Sequence, residues 1–135
     1  MNVPTAIARL LDTLGLVTYD GPGNDVFIDA MPTTPDVAVV ITGYGGPEAD
    51  VAGGWDHPRI QIRVRGTADP RISRSRLQAI YDALHGLSGI TLPDGTWLAD
   101  CHGLQSSPQS LGRDSNGRHE HAINFELDVR NPARA

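Results

Sequence analysis

Two patterns of hydrophobic residues divide the chain into predicted helices and predicted strands. Helical spacing over residues 5–14 predicts a first helix that Thr5 caps and Gly15 ends. Its apolar face consists of Ile7, Leu10, Leu11 and Leu14. A second helix is predicted to begin after Asp69, with Pro70 at its first position, and to run to about Leu84. The residues that it buries are Leu77, Ile80, Tyr81 and Leu84.

Strands are predicted where apolar residues alternate with polar ones or form short runs. Residues 26–28 form a short strand, and residues 36–42 are apolar without alternation, which is typical of a strand covered on both faces. Residues 59–66 alternate strictly, with Ile60, Ile62 and Val64 on one face and the arginines on the other. Residues 43–58 between these strands show no period and are predicted to form a long loop.

The C-terminal third is predicted to form a hairpin. Residues 96–107 give a strand with a bulge near Gly103, and Asn116–Gly117 is a strong signal for a hairpin turn. The long strand that follows, residues 119–130, has a regular period of two. Its inward residues are Ile123, Phe125, Leu127 and Val129, and its outward residues are Glu120, Asn124, Glu126, Asp128 and Arg130.

The order of these elements predicts an α+β fold. No repeated strand–helix crossover is visible, so a doubly wound parallel sheet is not expected. We predict a mostly antiparallel sheet with two helices packed on one face and a long β-hairpin near the C-terminus. Residues 1–135 form a single domain, with residues 131–135 as a frayed tail.

Composition and charge exclude several classes of function for this chain. The net charge is −5, so the chain does not have the basic character of a DNA-coating protein. All 11 basic residues are arginines, whose planar forks suit carboxylates and phosphates. A single cysteine, Cys101, cannot close an internal disulfide. Because neither a signal peptide nor a long apolar run is visible, we expect a soluble protein of a reducing cytoplasm without a membrane partner.

The candidate chemical motifs are weak. His119 and His121 share a strand face, yet a metal site needs three or four converging ligands. Cys101 and His102 are adjacent on a predicted strand and therefore point to opposite faces. The glycine-rich stretches lack the dinucleotide and phosphate-loop patterns, and "GLSG" is not a nucleophile elbow. We predict no catalytic residue, no cofactor and no metal; a small metal-dependent hydrolase that uses these histidines with Cys101 or His102 stays the alternative from another class.

Charged residues are sorted along two predicted strands. The first strand carries Arg59, Arg63 and Arg65 in an outward row, and the last carries Glu120, Glu126 and Asp128. If the two strands are neighbours, the rows form cross-strand pairs worth about 0.2–1 kcal/mol each. If they lie on opposite flanks, the rows can meet between copies of the chain, as in a ring built by a head-to-tail contact. The sequence leaves both arrangements open.

Three stretches resemble a known family in order and spacing: "HPRIQIRVRG", "LQAIYDALHGL" and "SPQSLGRDSNGRHEHAINFELDV". Together with the early "DVFIDAMPTTPDVAVVITGYGG", they are similar to the minor capsid or tail terminator proteins of long-tailed bacteriophages and prophages. The resemblance spans roughly residues 7–129, and its most specific part is the stretch from Gly112 to Phe125.

The resemblance implies a structural virion protein that acts in the tail or neck. Such a protein forms a ring, expected to be a hexamer, that caps the tail tube and joins it to the head connector. It implies self-association, contacts with the tail tube and connector proteins, and passage of DNA through the lumen without specific binding. It implies no catalysis, and the host cytoplasm is the place of assembly. A neighbouring head-completion or neck-stopper connector protein is the alternative from the same class.

The candidate interface residues come from the matching positions and from the charged rows. Asn116 and Gly117 are predicted to fix the hairpin turn, and the hairpin is predicted to be a docking edge. The predicted contacts with other subunits or with the tube are made by Arg59, Arg63, Arg65, Arg113, Asp114, Arg118, His119, Glu120, Glu126 and Asp128.

Overall fold

The structure is a computed structural model that describes residues 1–134. It has two helices, α1 (Val3–Thr13) and α2 (Pro70–Leu84). The strands are β1 (Val26–Ile28), β2 (Ala38–Gly43), β3 (Trp55–Asp56), β4 (Arg59–Arg65), β5 (Ile90–Thr91), β6 (Trp97–Gly103), β7 (Gln109–Arg113) and β8 (His119–Arg130). The order of elements is that of an α+β fold, as predicted.

All eight strands belong to one sheet that is built around β8. The strand order is β1-β2-β4-β8-β6-β5, and β3 and β7 also pair with β8. Every pairing is antiparallel except that of β1 with β2. Because β8 is 12 residues long, it pairs with β7 along its first part and with β6 along its last part.

One hydrophobic core lies between the two helices and one face of this sheet. Alternate residues of β4 and β8 are buried there, including Ile62 and Phe125, as the period of two predicts. The helices contribute Ile7 and Leu11 from α1 and Leu77, Ile80 and Leu84 from α2. The opposite face of the sheet, which we call the outer face, carries polar and charged side chains.

The helix boundaries differ from the prediction at α1. Asn2, and not Thr5, is the N-cap, because its side-chain oxygen accepts the backbone N–H of Thr5 at 3.1 Å. The helix ends at Thr13, so Leu14 is exposed and does not belong to the buried face. At α2 the prediction is confirmed, since Asp69 accepts the backbone N–H of Arg71 at 3.0 Å.

The strand predictions were incomplete in the loops. The stretch 43–58 contains β3, which pairs with the end of β8, and residues 90–91 form β5. The bulge in β6 lies between Leu98 and Asp100, and not near Gly103. At Gly103 a side chain would meet the Tyr81 ring of α2, with a Cβ only 2.6 Å from that ring, so this glycine serves close packing.

The C-terminal turn contacts β3 and the loop that leads into it. The backbone N–H of Asn131 donates to the Gly54 carbonyl at 2.7 Å, and Arg134 forms an ion pair with Asp56. Fraying of the tail in solution stays a prediction, and Ala135 lies outside the described residues. Neither helix within residues 1–134 has the length and apolar character that a membrane crossing requires.

Candidate functional site

The hairpin between β7 and β8 closes with a hydrogen bond of 2.9 Å from the Asp114 N–H to the Arg118 carbonyl, so its turn has three residues, 115–117, and not two. Gly117 donates its N–H to the Asp114 carbonyl at 3.0 Å, and its φ of +77° is one that glycine adopts without strain. The Asp114 carboxylate accepts the backbone N–H groups of Asn116 and Arg118, both at 2.9 Å. The hairpin predicted from Asn116–Gly117 is therefore present, with Asp114 as the residue whose side chain organises its turn.

Arg118 ties the hairpin to the loop before β2. Its guanidinium donates to the Asp114 carboxylate at 2.8 Å, to the Thr33 carbonyl at 2.8 Å and to the Asp36 carboxylate at 3.0 Å. Only 11% of the Arg118 side chain is exposed. The backbone N–H of Arg118, together with its guanidinium, holds the pKa of Asp114 below its ordinary value. This arginine was predicted to contact other subunits, and in the isolated chain its Nε and Nη1 donate to internal partners.

β7 is exposed along its whole length. All five of its residues, Gln109 to Arg113, are exposed to solvent, and Leu111 retains 48% of its accessible surface. β7 pairs with β8 on one side, and no strand within residues 1–134 covers its other side. Arg113 is its one charged residue and forms no ion pair with any other described residue. β7 is thus a sheet edge with unpaired backbone groups, which is a surface suited to another strand.

The charged rows of the outer face pair within the chain. Arg59 lies opposite Glu126 in the β4–β8 register and donates to it at 2.9 Å. Arg63 and Glu120 approach to 3.4 Å on a diagonal of the same strand pair. β4 and β8 are neighbours in the sheet, so the two charged rows form cross-strand pairs within one chain. This is the first of the two arrangements that the sequence left open. Any contact of these rows with another copy would add to pairs that already exist.

Two histidines continue this network beyond the arginines. His57 contacts Asp128 at 2.7 Å and Asp50 at 3.3 Å, and these two carboxylates raise the pKa of His57 above its ordinary value. On β6, His102 contacts Asp100 at 2.8 Å and lies 3.8 Å from Glu126. Asp128 therefore has an internal partner, as Glu120 and Glu126 do.

Arg65 does not belong to an exposed row. It retains 3% of its accessible surface, because residues 33–36 fold over it. Its guanidinium donates to the carbonyls of Asp36 at 2.8 Å, Pro35 at 2.7 Å and Thr33 at 3.3 Å. Burial lowers the pKa of Arg65 from its ordinary value. Arg65 does lie on the outer face of β4 with Arg59 and Arg63, as the alternation predicts, but it is not exposed there, because alternation reports the face of a strand and not which distant loop covers it.

His121 is buried against α2. Its Nδ1 shares a hydrogen bond of 2.7 Å with the hydroxyl of Ser73, and both side chains are fully buried. Burial lowers the pKa of His121, with smaller effects from Arg74 and His119. His119 is half-buried beside it, and its Nδ1 has no hydrogen-bond partner among the described residues.

The chemical alternative finds no geometric support within residues 1–134. No three of the histidine, cysteine, aspartate and glutamate side chains in this part of the chain converge as metal ligands do. Cys101 faces the core, and burial raises the pKa of its thiol to about 12, whereas His102 faces outward. As predicted, the two side chains point to opposite faces.

Several residues of this surface escaped the sequence analysis. Thr33 and Asp36 hold Arg118, and Asp50 and His57 extend the network of the outer face. Each of these contacts joins residues far apart in sequence, so no local pattern indicates them. The one available signal was the concentration of prolines around Thr33 in "MPTTPD", which marks a fixed turn.

Comparison with known protein families assigns the chain to one of them. Residues 10–131 match a family described as bacteriophage tail terminator protein. Since the match covers nearly the whole chain, the protein belongs to this family, in agreement with the resemblance noted from the sequence. It is a structural protein of the phage tail and lies in the tail of the virion. No curated protein sequence matches the chain significantly.

Proposed function

We propose that copies of this chain form a ring, with six as the expected number, that caps the tail tube and joins it to the head connector. The family match supports a place in the tail. The exposed edge strand β7 is the observation that carries the proposal of assembly, because the backbone groups of its outer edge have no strand partner within residues 1–134 and can exchange water for a strand of another chain.

The proposed docking surface is the β7–β8 hairpin. Its turn is fixed by Asp114, Asn116 and Gly117, and Arg118 holds it against the loop before β2. A surface that is ordered before contact loses less conformational entropy when a partner binds. Within this surface Arg113 offers a free guanidinium, whereas Arg118 acts by positioning the strand.

The outer face is proposed as a second contact surface. Among the remaining candidates, Arg59, Arg63, Glu120, Glu126 and Asp128 already neutralise one another or a histidine in pairs. His119 lies half-buried at the base of the hairpin. Paired charges of this kind contribute to the orientation of a partner more than to affinity. The tail tube and connector proteins are the proposed partners, and assembly takes place in the host cytoplasm.

We also propose that DNA passes the ring without specific binding and that the protein is not an enzyme. A net charge of −5 disfavours adsorption of DNA, since binding to the phosphate backbone relies on clustered positive charge. A stoichiometric bound metal in purified protein, measured by elemental analysis, would contradict the structural role proposed here.

Mass measurement tests the ring. Native mass spectrometry of the chain alone and of the chain mixed with its tail tube protein should give a closed assembly in at least one condition, with six copies expected. Electron microscopy of tails assembled with and without the chain should then show capped ends only with it. Binding to head connectors in the absence of tails would instead favour a neighbouring connector protein. A monomer that never binds tube protein would contradict the proposal.

A further inference from the structure

A protruding loop lies at the end of β8 that is farther from the β7–β8 hairpin. Residues 43–53 are all exposed, and we call residues 46–53 the arm. The arm leads into β3, which pairs with Val129 and Arg130 at the end of β8. Val51 in the arm is fully exposed, so its apolar surface is available to another chain.

The arm is fixed by hydrogen bonds near its base. The Asp50 N–H donates to the Trp55 carbonyl at 3.0 Å, and the Asp50 carboxylate contacts His57 at 3.3 Å. On the other side, Nε of Arg130 donates to the Gly53 carbonyl at 3.2 Å. A loop that is ordered before contact loses less conformational entropy when a partner binds it.

The charged side chains of the arm are both carboxylates. Asp50 shares its charge with His57, whereas Glu48 is exposed and forms no ion pair within residues 1–134. A surface that fits the arm must therefore offer a positive charge for Glu48 beside an apolar side chain for Val51.

The hairpin at the other end of β8 offers both kinds of side chain. Leu111 is the extra residue of a bulge in β7, and 48% of its surface is exposed. Arg113 lies opposite His119 in the β7–β8 register. His119 is two residues from His121, which contacts α2, so Arg113 lies on the side of the sheet that α2 covers.

Arg74 of α2 adds a second positive charge on this side. Burial lowers the pKa of His121 and the charge of Arg74 lowers it further, which places Arg74 near the part of β8 that pairs with β7. Arg74 and Arg113 form no ion pair with any other residue that the structure describes. Leu111, Arg113 and Arg74 thus form an exposed apolar and basic surface, which we call the hairpin patch.

The arm and the hairpin patch cannot meet within one chain. They lie at opposite ends of β8, whose 12 residues span about 40 Å at about 3.4 Å per residue. Each chain therefore carries two unlike surfaces of complementary charge at its two ends. A head-to-tail contact between copies joins unlike surfaces in this way, and it closes into a ring when the rotation between copies permits.

We propose that the arm of one copy docks on the hairpin patch of the next copy. Val51 packs against Leu111 of the neighbouring copy, and Glu48 pairs with Arg113, with Arg74 beside this pair. The inference rests on the proposed ring and specifies the contact between its adjacent copies. The apolar contact contributes adhesion, and the charges determine which surfaces meet.

An exchange of charges tests the pairing. Arg113→Glu and Glu48→Arg should each raise the concentration for half-maximal assembly at least about 5-fold, because each places like charges together. The double variant should recover most of this loss. Arg9→Glu and Asp12→Arg, both exposed on α1, change the net charge equally and should leave assembly unchanged. A double variant no better than the single variants, or controls with the same defect, would overturn the pairing.

A cross-link tests the apolar contact. A disulfide forms only where two Cα atoms approach to within about 7 Å. Mild oxidation of Val51→Cys/Leu111→Cys should give a ladder of covalently linked copies. The control Val51→Cys/Ile72→Cys should give none, because Ile72 is similarly exposed but lies outside the hairpin patch, and the native Cys101 is buried. Equal ladders in both variants would mean that the thiols meet by random collision, which overturns the contact.

The mass of each sample before oxidation separates this inference from the proposed ring. A ring that gives no ladder and tolerates both charge reversals overturns the docking of the arm and leaves the ring standing. Absence of any assembly, alone or with tail tube protein, overturns both.

Discussion

The two strands of the C-terminal hairpin differ in nearly every physical respect. β8 pairs with strands along both edges, buries alternate residues in the core and has internal partners for the carboxylates of its outer face. β7 is joined to it by a turn of three residues, yet it is exposed throughout and paired along one edge. The comparison separates the strand on which folding depends from the strand that is available to other chains. The predictions below test this difference through residues of the two strands and through the side chains that contact them.

The largest difference is expected from truncation in the two strands. Phe125→Ala on β8 should lower the free energy of unfolding by about 3–5 kcal/mol, because it removes the most voluminous fully buried side chain of the core. Leu111→Ala on β7 should change it by less than about 0.5 kcal/mol. Urea denaturation of both variants measures the two values. Comparable losses would mean that β7 belongs to the folding core.

A second prediction concerns the buried hydrogen bond between β8 and α2. Ser73→Ala should lower the free energy of unfolding by about 1–3 kcal/mol, because it leaves Nδ1 of His121 buried without its partner. Ser75 is exposed on the same helix, and Ser75→Ala serves as the control that changes helix propensity alone. Thermal unfolding of the two variants gives the comparison. An equal effect would show that the bond contributes nothing.

His121 also makes the free energy of unfolding depend on pH, in a direction that follows from its pKa. Its folded-state pKa lies below the value of about 6.5 expected when unfolded, so its neutral form favours the fold. The corresponding stability is fully present above pH 6.5 and is lost as the pH falls toward the folded pKa. His57 has the opposite sign, since its pKa is raised and its contribution is lost as the pH rises through that value. The free energy of unfolding of His121→Asn and of His57→Gln should be measured against pH. The first variant should lack the loss of stability toward low pH, and the second should lack the loss toward high pH.

Two arginines of the hairpin are expected to differ by a smaller amount. Arg118→Ala removes three hydrogen bonds that hold the hairpin, so the melting temperature should fall by a few degrees and hydrogen exchange in β7 should accelerate. Arg113→Ala should leave both unchanged and should affect assembly alone. If Arg118→Ala leaves hydrogen exchange unchanged, the hairpin is held by its strand pairing and not by this side chain.

The smallest effect on folding is expected from an ion pair of the outer face. Glu126→Gln weakens the contact with Arg59, and such partly exposed pairs contribute about 0.2–1 kcal/mol. Denaturation at low and high salt should show a loss that shrinks as screening increases. If the loss does not depend on salt, Glu126 stabilises the fold through its hydrogen bond with Arg59 and not through its charge.

Local patterns predicted the secondary structure well, because alternation and capping act over a few residues. The bounds of β1, β4 and β8 and the Asp69 cap of α2 could be predicted in this way to within a residue. The start of α1 could not, because Thr5 and Asn2 are both good caps and the choice depends on the tertiary position of the chain end.

The site was less predictable, because its contacts are long-range. The two charged rows were visible, whereas the adjacency of β4 and β8 that pairs them was not. The exposure of β7 is likewise a property of the sheet edge, and the sequence "QSLGR" shows neither a strand period nor a charge pattern that would reveal it. Burial of Arg65 depends on a loop about 30 residues earlier in the chain.

The environment of Arg65 has a consequence for sequence variation at this position. Three backbone carbonyls of residues 33–36 converge on one planar, permanently charged group. A lysine carries the same charge but presents its donors from a single atom, and it loses its proton far more readily when desolvated. Exchange of these two residue types, harmless on most protein surfaces, would here release the segment that spans residues 29–37 from the sheet.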